Sequence, residues 1–136
     1  MNRIDAPRFN TRIVLLFALA LNATALAADS ASSPDRERAV SVLEQAVKSD
    51  PHNAELWLHL GFAYRKLGQT DQSQGAFEKA SALDPHNRDA LYMLGLIYEK
   101  KHQTQDAQRV WKAYLATETD ATKRSDAEKH LHHLEQ

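Results

Sequence analysis

The chain has 136 residues, enough for one domain, with 43% hydrophobic and 26% charged residues. Four Gly and four Pro are too few for the frequent tight turns of an all-β fold. With no cysteine, disulfides, thiolate metal sites, a cysteine nucleophile and lipidation on cysteine are excluded.

The first 28 residues stand apart. Arg3, Arg8 and Arg12 precede an uncharged run from Ile13 to Ala28 that ends in Ala25-Leu26-Ala27. A positive start, a short apolar stretch and small residues in an A-x-A spacing form the pattern of a secretory signal peptide over 1–27, cleaved near Ala27-Ala28. The uncharged run of 16 residues is shorter than the roughly 20 that span a bilayer, which speaks against a retained anchor. Asn22-Ala23-Thr24 matches a glycosylation acceptor but falls inside the removed segment. The remaining chain has 14 Lys+Arg against 17 Asp+Glu. It lacks the basic face that nucleic-acid binding requires. Residues 28–34 read as a flexible leader.

Beyond residue 35 the good helix formers Ala, Leu, Glu, Gln, Lys and Arg dominate. Helices are expected at about 35–49, 53–67, 70–83, 87–101, 104–117 and 121–134. Asn53, Asn87, Thr70 and Thr104 are placed to cap helix starts, and Gly68 suits the left-handed position that ends a helix. Pro51 and Pro85 stop the preceding helices from running on.

Residues 50–71 align without gaps to 84–105, with ten of twenty-two positions identical. Asp50-Pro51-His52-Asn53 returns as Asp84-Pro85-His86-Asn87. Leu60-Gly61, Tyr64, Lys66 and Gln69-Thr70 return as Leu94-Gly95, Tyr98, Lys100 and Gln103-Thr104. An offset of 34 is the period of a helix–turn–helix unit that stacks on copies of itself. A glycine inside a helix costs about 1 kcal/mol relative to alanine, so Gly61 and Gly95 imply close helix approach.

On these residues the chain resembles the tetratricopeptide repeat family. In the first full unit the family pattern falls on Trp57, Leu60, Gly61, Tyr64, Ser73, Phe77, Ala80 and Pro85. In the second it falls on Leu91, Leu94, Gly95, Tyr98, Ala107, Trp111, Tyr114 and Thr119. The departures are Ser73 for Ala, Leu91 for Trp, Tyr114 for Ala and Thr119 for Pro. Ala39, Leu43, Ala46 and Pro51 match the second half of a preceding unit. The resemblance implies an all-α fold of such repeats stacked into a short right-handed superhelix. It would comprise a half repeat (35–52), repeats over 53–86 and 87–119, and a capping helix (121–134). With Tyr114 where a small residue is usual, that last helix is expected to dock irregularly and to shield Trp111 and Leu115.

Repeat arrays of this kind bind on the concave side. Off the core register on the first helix of each unit lie Leu58 and Phe62, then Tyr92 and Leu96. Glu55, Arg65, Asp89 and Glu99 are expected to form a polar rim beside them. These eight residues are the candidate peptide groove, with Phe62 and Tyr92 as anchors. A groove of this composition suits an amphipathic helix or an extended apolar peptide. Family members that grip carboxylate ends use Lys and Asn at these positions, so the resemblance does not imply a carboxylate clamp here.

Catalysis is not expected. No G-x-S-x-G elbow or Gly-rich phosphate loop is present, and short stacked helices offer no deep water-excluding pocket. His130, His132 and His133 are read as a solvated face, since zinc needs three or four converging ligands. No cofactor or metal is expected. The expected partner is a protein or peptide client of an envelope complex, with homo-oligomerisation as the alternative.

Overall fold

A computed structural model describes residues 32–136; the expected signal peptide and cleavage point lie outside them. Six helices follow in order: α1 Ser33–Ser49, α2 Ala54–Lys66, α3 Thr70–Leu83, α4 Arg88–Lys100, α5 Thr104–Thr117 and α6 Ala121–Leu134. Among the described residues there is no strand. Each helix packs on the next, most closely within the pairs α2–α3 and α4–α5. The stack therefore repeats at the spacing the sequence announces.

The helix ends follow from local chemistry. Asn53 Oδ1 accepts from the backbone N–H groups of Glu55 and Leu56 at 3.1 and 3.2 Å, and Asn87 Oδ1 from that of Ala90 at 3.0 Å. These bonds satisfy donors that a first helical turn leaves orphaned. After α2 the chain turns through Gly68 at φ 73°, and after α4 through His102 at φ 57°. The N–H groups of Gln69 and Gln103 reach back to the carbonyls of Tyr64 and Tyr98, at 3.0 and 2.8 Å. That closes the six-residue loop in which a left-handed residue ends a helix. This turn consumes Gln69 and Gln103 as cap residues, neither with a side-chain capping bond. Thr70 and Thr104 are already inside their helices, which corrects their expected capping role.

The two core glycines pack against aromatic rings. A Cβ on Gly61 would lie 2.7 Å from the Phe77 ring, and one on Gly95 would lie 2.6 Å from the Trp111 ring. Phe77 and Trp111 are fully buried. The neighbouring Leu60, Tyr64, Leu94 and Tyr98 pack in the core clusters around this contact. Ser73, the departure from Ala, donates its hydroxyl to the Gly61 carbonyl at 2.8 Å while buried. A polar atom there is satisfied by the helix it packs against.

Successive repeats are joined by a recurring bond. The Tyr64 hydroxyl donates to Glu44 at 2.6 Å, and the Tyr98 hydroxyl donates to Glu78 at 2.8 Å. Burial, and then the bond to the carboxylate, push both phenols up to about 12. The next equivalent of Glu44 and Glu78 is Lys112, which lies 3.7 Å from Glu135, so the series stops there.

The approach to α6 departs from the repeat as the family pattern foreshadows. The turns 50–53 and 84–87 give way to a shorter one, Glu118-Thr119-Asp120, with Asp120 as the N-cap. The nearly fully buried Glu118 carboxylate accepts from the N–H groups of Asp120 (2.9 Å) and Thr119 (2.8 Å), from the Tyr114 hydroxyl (3.0 Å) and from Arg88 (3.2 Å). Arg124 donates to the Leu115 and Glu118 carbonyls. Tyr114 is buried among Tyr92 and Trp111.

Candidate peptide-binding groove

The eight groove residues occupy matched places on the first helix of each pair. Glu55, Leu58, Phe62 and Arg65 on α2 are each 34 residues before Asp89, Tyr92, Leu96 and Glu99 on α4. Glu55, Leu58 and Asp89 line one open cleft of about 710 Å³ between the starts of α2 and α4, together with Asp50, Asp84 and Asn87. Glu55 lies 3.7 Å from His59. The walls are held by the Asn53 and Asn87 caps, which fix where each helix begins.

The side chains are less open than their register suggests. Leu58 is buried at 9% exposure and belongs to the core. That corrects its expected exposure: Leu58 packs into the core cluster that holds Phe77, Ala80, Ala90 and Leu91, and forms the floor of the cleft. Phe62 is half-buried, its ring meeting Phe77 edge-on at 5.1 Å. Tyr92 is half-buried against Trp111 at 5.4 Å and Tyr114 at 5.6 Å. Leu96 is half-buried on the same core. Arg65 and Asp89 are exposed. Phe62 and Tyr92 therefore have both a packed side and a solvent side.

Glu99 departs from its expected place on the rim. Its carboxylate accepts from Trp111 Nε1 at 2.5 Å and lies 3.0 Å from His130 Nδ1. The His130 ring stacks on Trp111, with centroids 4.7 Å apart and planes within 11°. His130 is half-buried, which corrects its reading as part of a solvated face; His132 and His133 are exposed. The sequence signal for this arrangement is faint. Glu99 and His130 are 31 residues apart, off the 34-residue register. Among the described residues no group of three His, Asp or Glu side chains converges as metal ligands. Among them, too, no helix is long and apolar enough to cross a membrane.

Two tetratricopeptide repeat family models match the chain, over residues 31–76 and 63–108. No curated protein sequence matches it. The Yersinia enterocolitica type III secretion chaperone SycD, in complex with a peptide of the translocator YopD, is similar with a TM-score of 0.73 at 14% identity. That match covers 96% of this chain and 97% of the chaperone. The second TPR domain of human RPAP3, in complex with an HSP70 peptide, gives 0.62 at 19% identity over 76% of this chain and 83% of that one. The Arabidopsis OM64 TPR domain gives 0.67 at 22% identity, over 81% and 88%. At these identities the likeness is one of fold. With the 34-residue register, the stacked helix pairs and family matches that together span more than half its length, this chain belongs to the tetratricopeptide repeat family.

Proposed function

We propose that this protein is an exported adaptor that holds a protein or peptide partner in the trough along α2 and α4 and performs no chemistry itself. The observation that carries this reading is the period-matched row of half-buried Phe62, Tyr92 and Leu96 leading to an open cleft floored by Leu58. Half-buried aromatics keep contact area available at low entropic cost, as interface anchors do. Proteins of the same fold, SycD and RPAP3, hold peptides, which supports the choice of partner class. Export rests on the Arg-flanked apolar run and the Ala25-Leu26-Ala27 site. An envelope client follows from that location.

The test is capture of partners from an envelope extract by the wild-type protein and by Asp89→Lys and Tyr92→Leu variants. Asp89 is exposed, and leucine keeps an apolar side chain at 92, so both variants are expected to fold. A partner retained by the wild type and lost by both supports the groove. A partner retained equally by all three places binding elsewhere.

A second reading is that the protein completes a larger array or pairs with itself. It is favoured by α1, where Ala39 and Leu43 are only half-buried. Their equivalents, Ser73 with Phe77 and Ala107 with Trp111, are shielded almost completely by a facing helix. Sedimentation as a clean monomer at tens of micromolar ends this reading.

A further inference from the structure

The arrangement at Glu99 holds more than packing requires. Three helices contribute one group each: Glu99 from α4, Trp111 from α5 and His130 from α6. The carboxylate is shared by the indole N–H and the imidazole, while the two rings lie face to face. The helix that carries His130 is otherwise lightly held. Ala127 is its one fully buried residue, and Leu131 and Leu134 are half-buried. Its polar ties are at its ends: Arg124 to the Leu115 and Glu118 carbonyls, and Gln108 to the Leu134 carbonyl at 2.9 Å. In the middle, His130 is the polar attachment.

We infer that His130 is a proton-operated fastener: its protonation clamps α6 onto Glu99 and Trp111, and its deprotonation loosens that helix. A charged imidazole placed over an indole face gains a cation–π attraction. Its Nδ1–H bond to a carboxylate becomes charge-assisted. The neutral ring keeps the stacking geometry but loses both gains. Histidine is the side chain suited to gain a charge on mild acidification, so the clamp tightens as protons are added. The groups facing the ring are Glu99 from α4 and Trp111 from α5, whose neighbour Lys112 is paired with Glu135. On α6 itself, Asp126 lies one turn before and is paired with Lys129 at 2.9 Å, and His133 lies three residues after. No cation stands against the ring among these contacts to oppose its charging. The inference does not depend on the groove reading.

The experiment follows Trp111 emission in a Trp57→Phe background, together with amide exchange of α6 corrected for intrinsic rates, between pH 5 and 8. A protonated imidazole stacked on an indole quenches it. Acidification is therefore expected to dim Trp111 and to slow exchange in α6 by about fivefold, the scale of a partly exposed cation–π contact. His130→Gln is expected to abolish both responses, and His133→Gln to leave them intact. His130→Lys, permanently charged, is expected to hold α6 protected at both ends of the range. Wild-type α6 exchange that does not change with pH overturns the inference, as does a pH response that survives in His130→Gln.

Discussion

Replacing Gly95 with alanine tests the packing account most directly. The added Cβ would lie 2.6, 2.7 and 3.0 Å from three atoms of the Trp111 ring, inside the distance at which real methyl groups meet carbon. The ring cannot swing away. Its Nε1 is tied to Glu99, its face is covered by His130, and it has no exposed surface. Relief must come from separating α4 and α5. Overpacking of a tight core costs about 1–3 kcal/mol, and a rigid ring on a backbone glycine belongs near the upper end. Alanine recovers about 1 kcal/mol of helix propensity, which leaves a net loss on the order of 2 kcal/mol. For a domain of this size that is a fall in Tm of about 8–16 °C. Urea unfolding of wild type and Gly95→Ala, with unchanged m-value, measures the loss as a shift in midpoint. A Gly75→Ala variant supplies the control, because a Cβ at Gly75 on α3 meets nothing within 4 Å. It is expected to gain about 0.5–1 kcal/mol by the propensity effect alone. If Gly95→Ala were as stable as Gly75→Ala, the claim that the helix pair closes on glycine would be refuted.

Other substitutions test the remaining parts. His102 holds the left-handed turn that Gly68 holds in the first repeat, so His102→Gly is expected to raise stability by about 1 kcal/mol in the same urea assay. The Asp120 N–H first, and then the Tyr114 hydroxyl, the Thr119 N–H and Arg88, hold the Glu118 carboxyl down to about 2, against the opposing effect of its burial. With the folded value below the unfolded one, near 4.3, Glu118 contributes stability above about pH 4.3, and this is lost as pH falls toward 2. Glu118→Gln is expected to flatten that part of the stability–pH curve, and an unchanged acid limb would deny Glu118 this role. Phe62→Ala with Tyr92→Ala is expected to cost on the order of 2 kcal/mol per site, since each ring packs on the core as well as facing the trough; circular dichroism melts measure it. A near-zero cost would mean that the ring contacts contribute little.

The sequence was legible wherever one residue type served one repeated purpose. Asn53 and Asn87 cap, Gly68 turns, and Gly61 and Gly95 admit a partner helix, so the six helices lie within two residues of their expected bounds. What stayed hidden depends on residues that serve the packed state without repeating. Leu58 and Tyr92 share a register, yet one is a buried floor and the other a half-open wall, because the space between adjacent helices is set by their neighbours. Glu99 matches Arg65 by register but turns toward Trp111 and His130; 34 positions before these stand Phe77 and Leu96, which offer Arg65 no polar group. Glu118 gave no signal at all. Its role as the hub of that turn exists only once Arg88, 30 residues earlier, lies alongside it.

The Tyr64–Glu44 and Tyr98–Glu78 bonds stitch each pair of helices to the one before. Stability in stacked arrays divides into the worth of each unit and the worth of each seam, and these two seams share the same hydroxyl-to-carboxylate stitch. At the third seam the thread runs out at Lys112, and a different fabric of backbone and carboxylate around Glu118 takes over. Unravelling under heat or denaturant therefore meets two like seams and one unlike them, so the last helix need not part from the stack under the same conditions as the others.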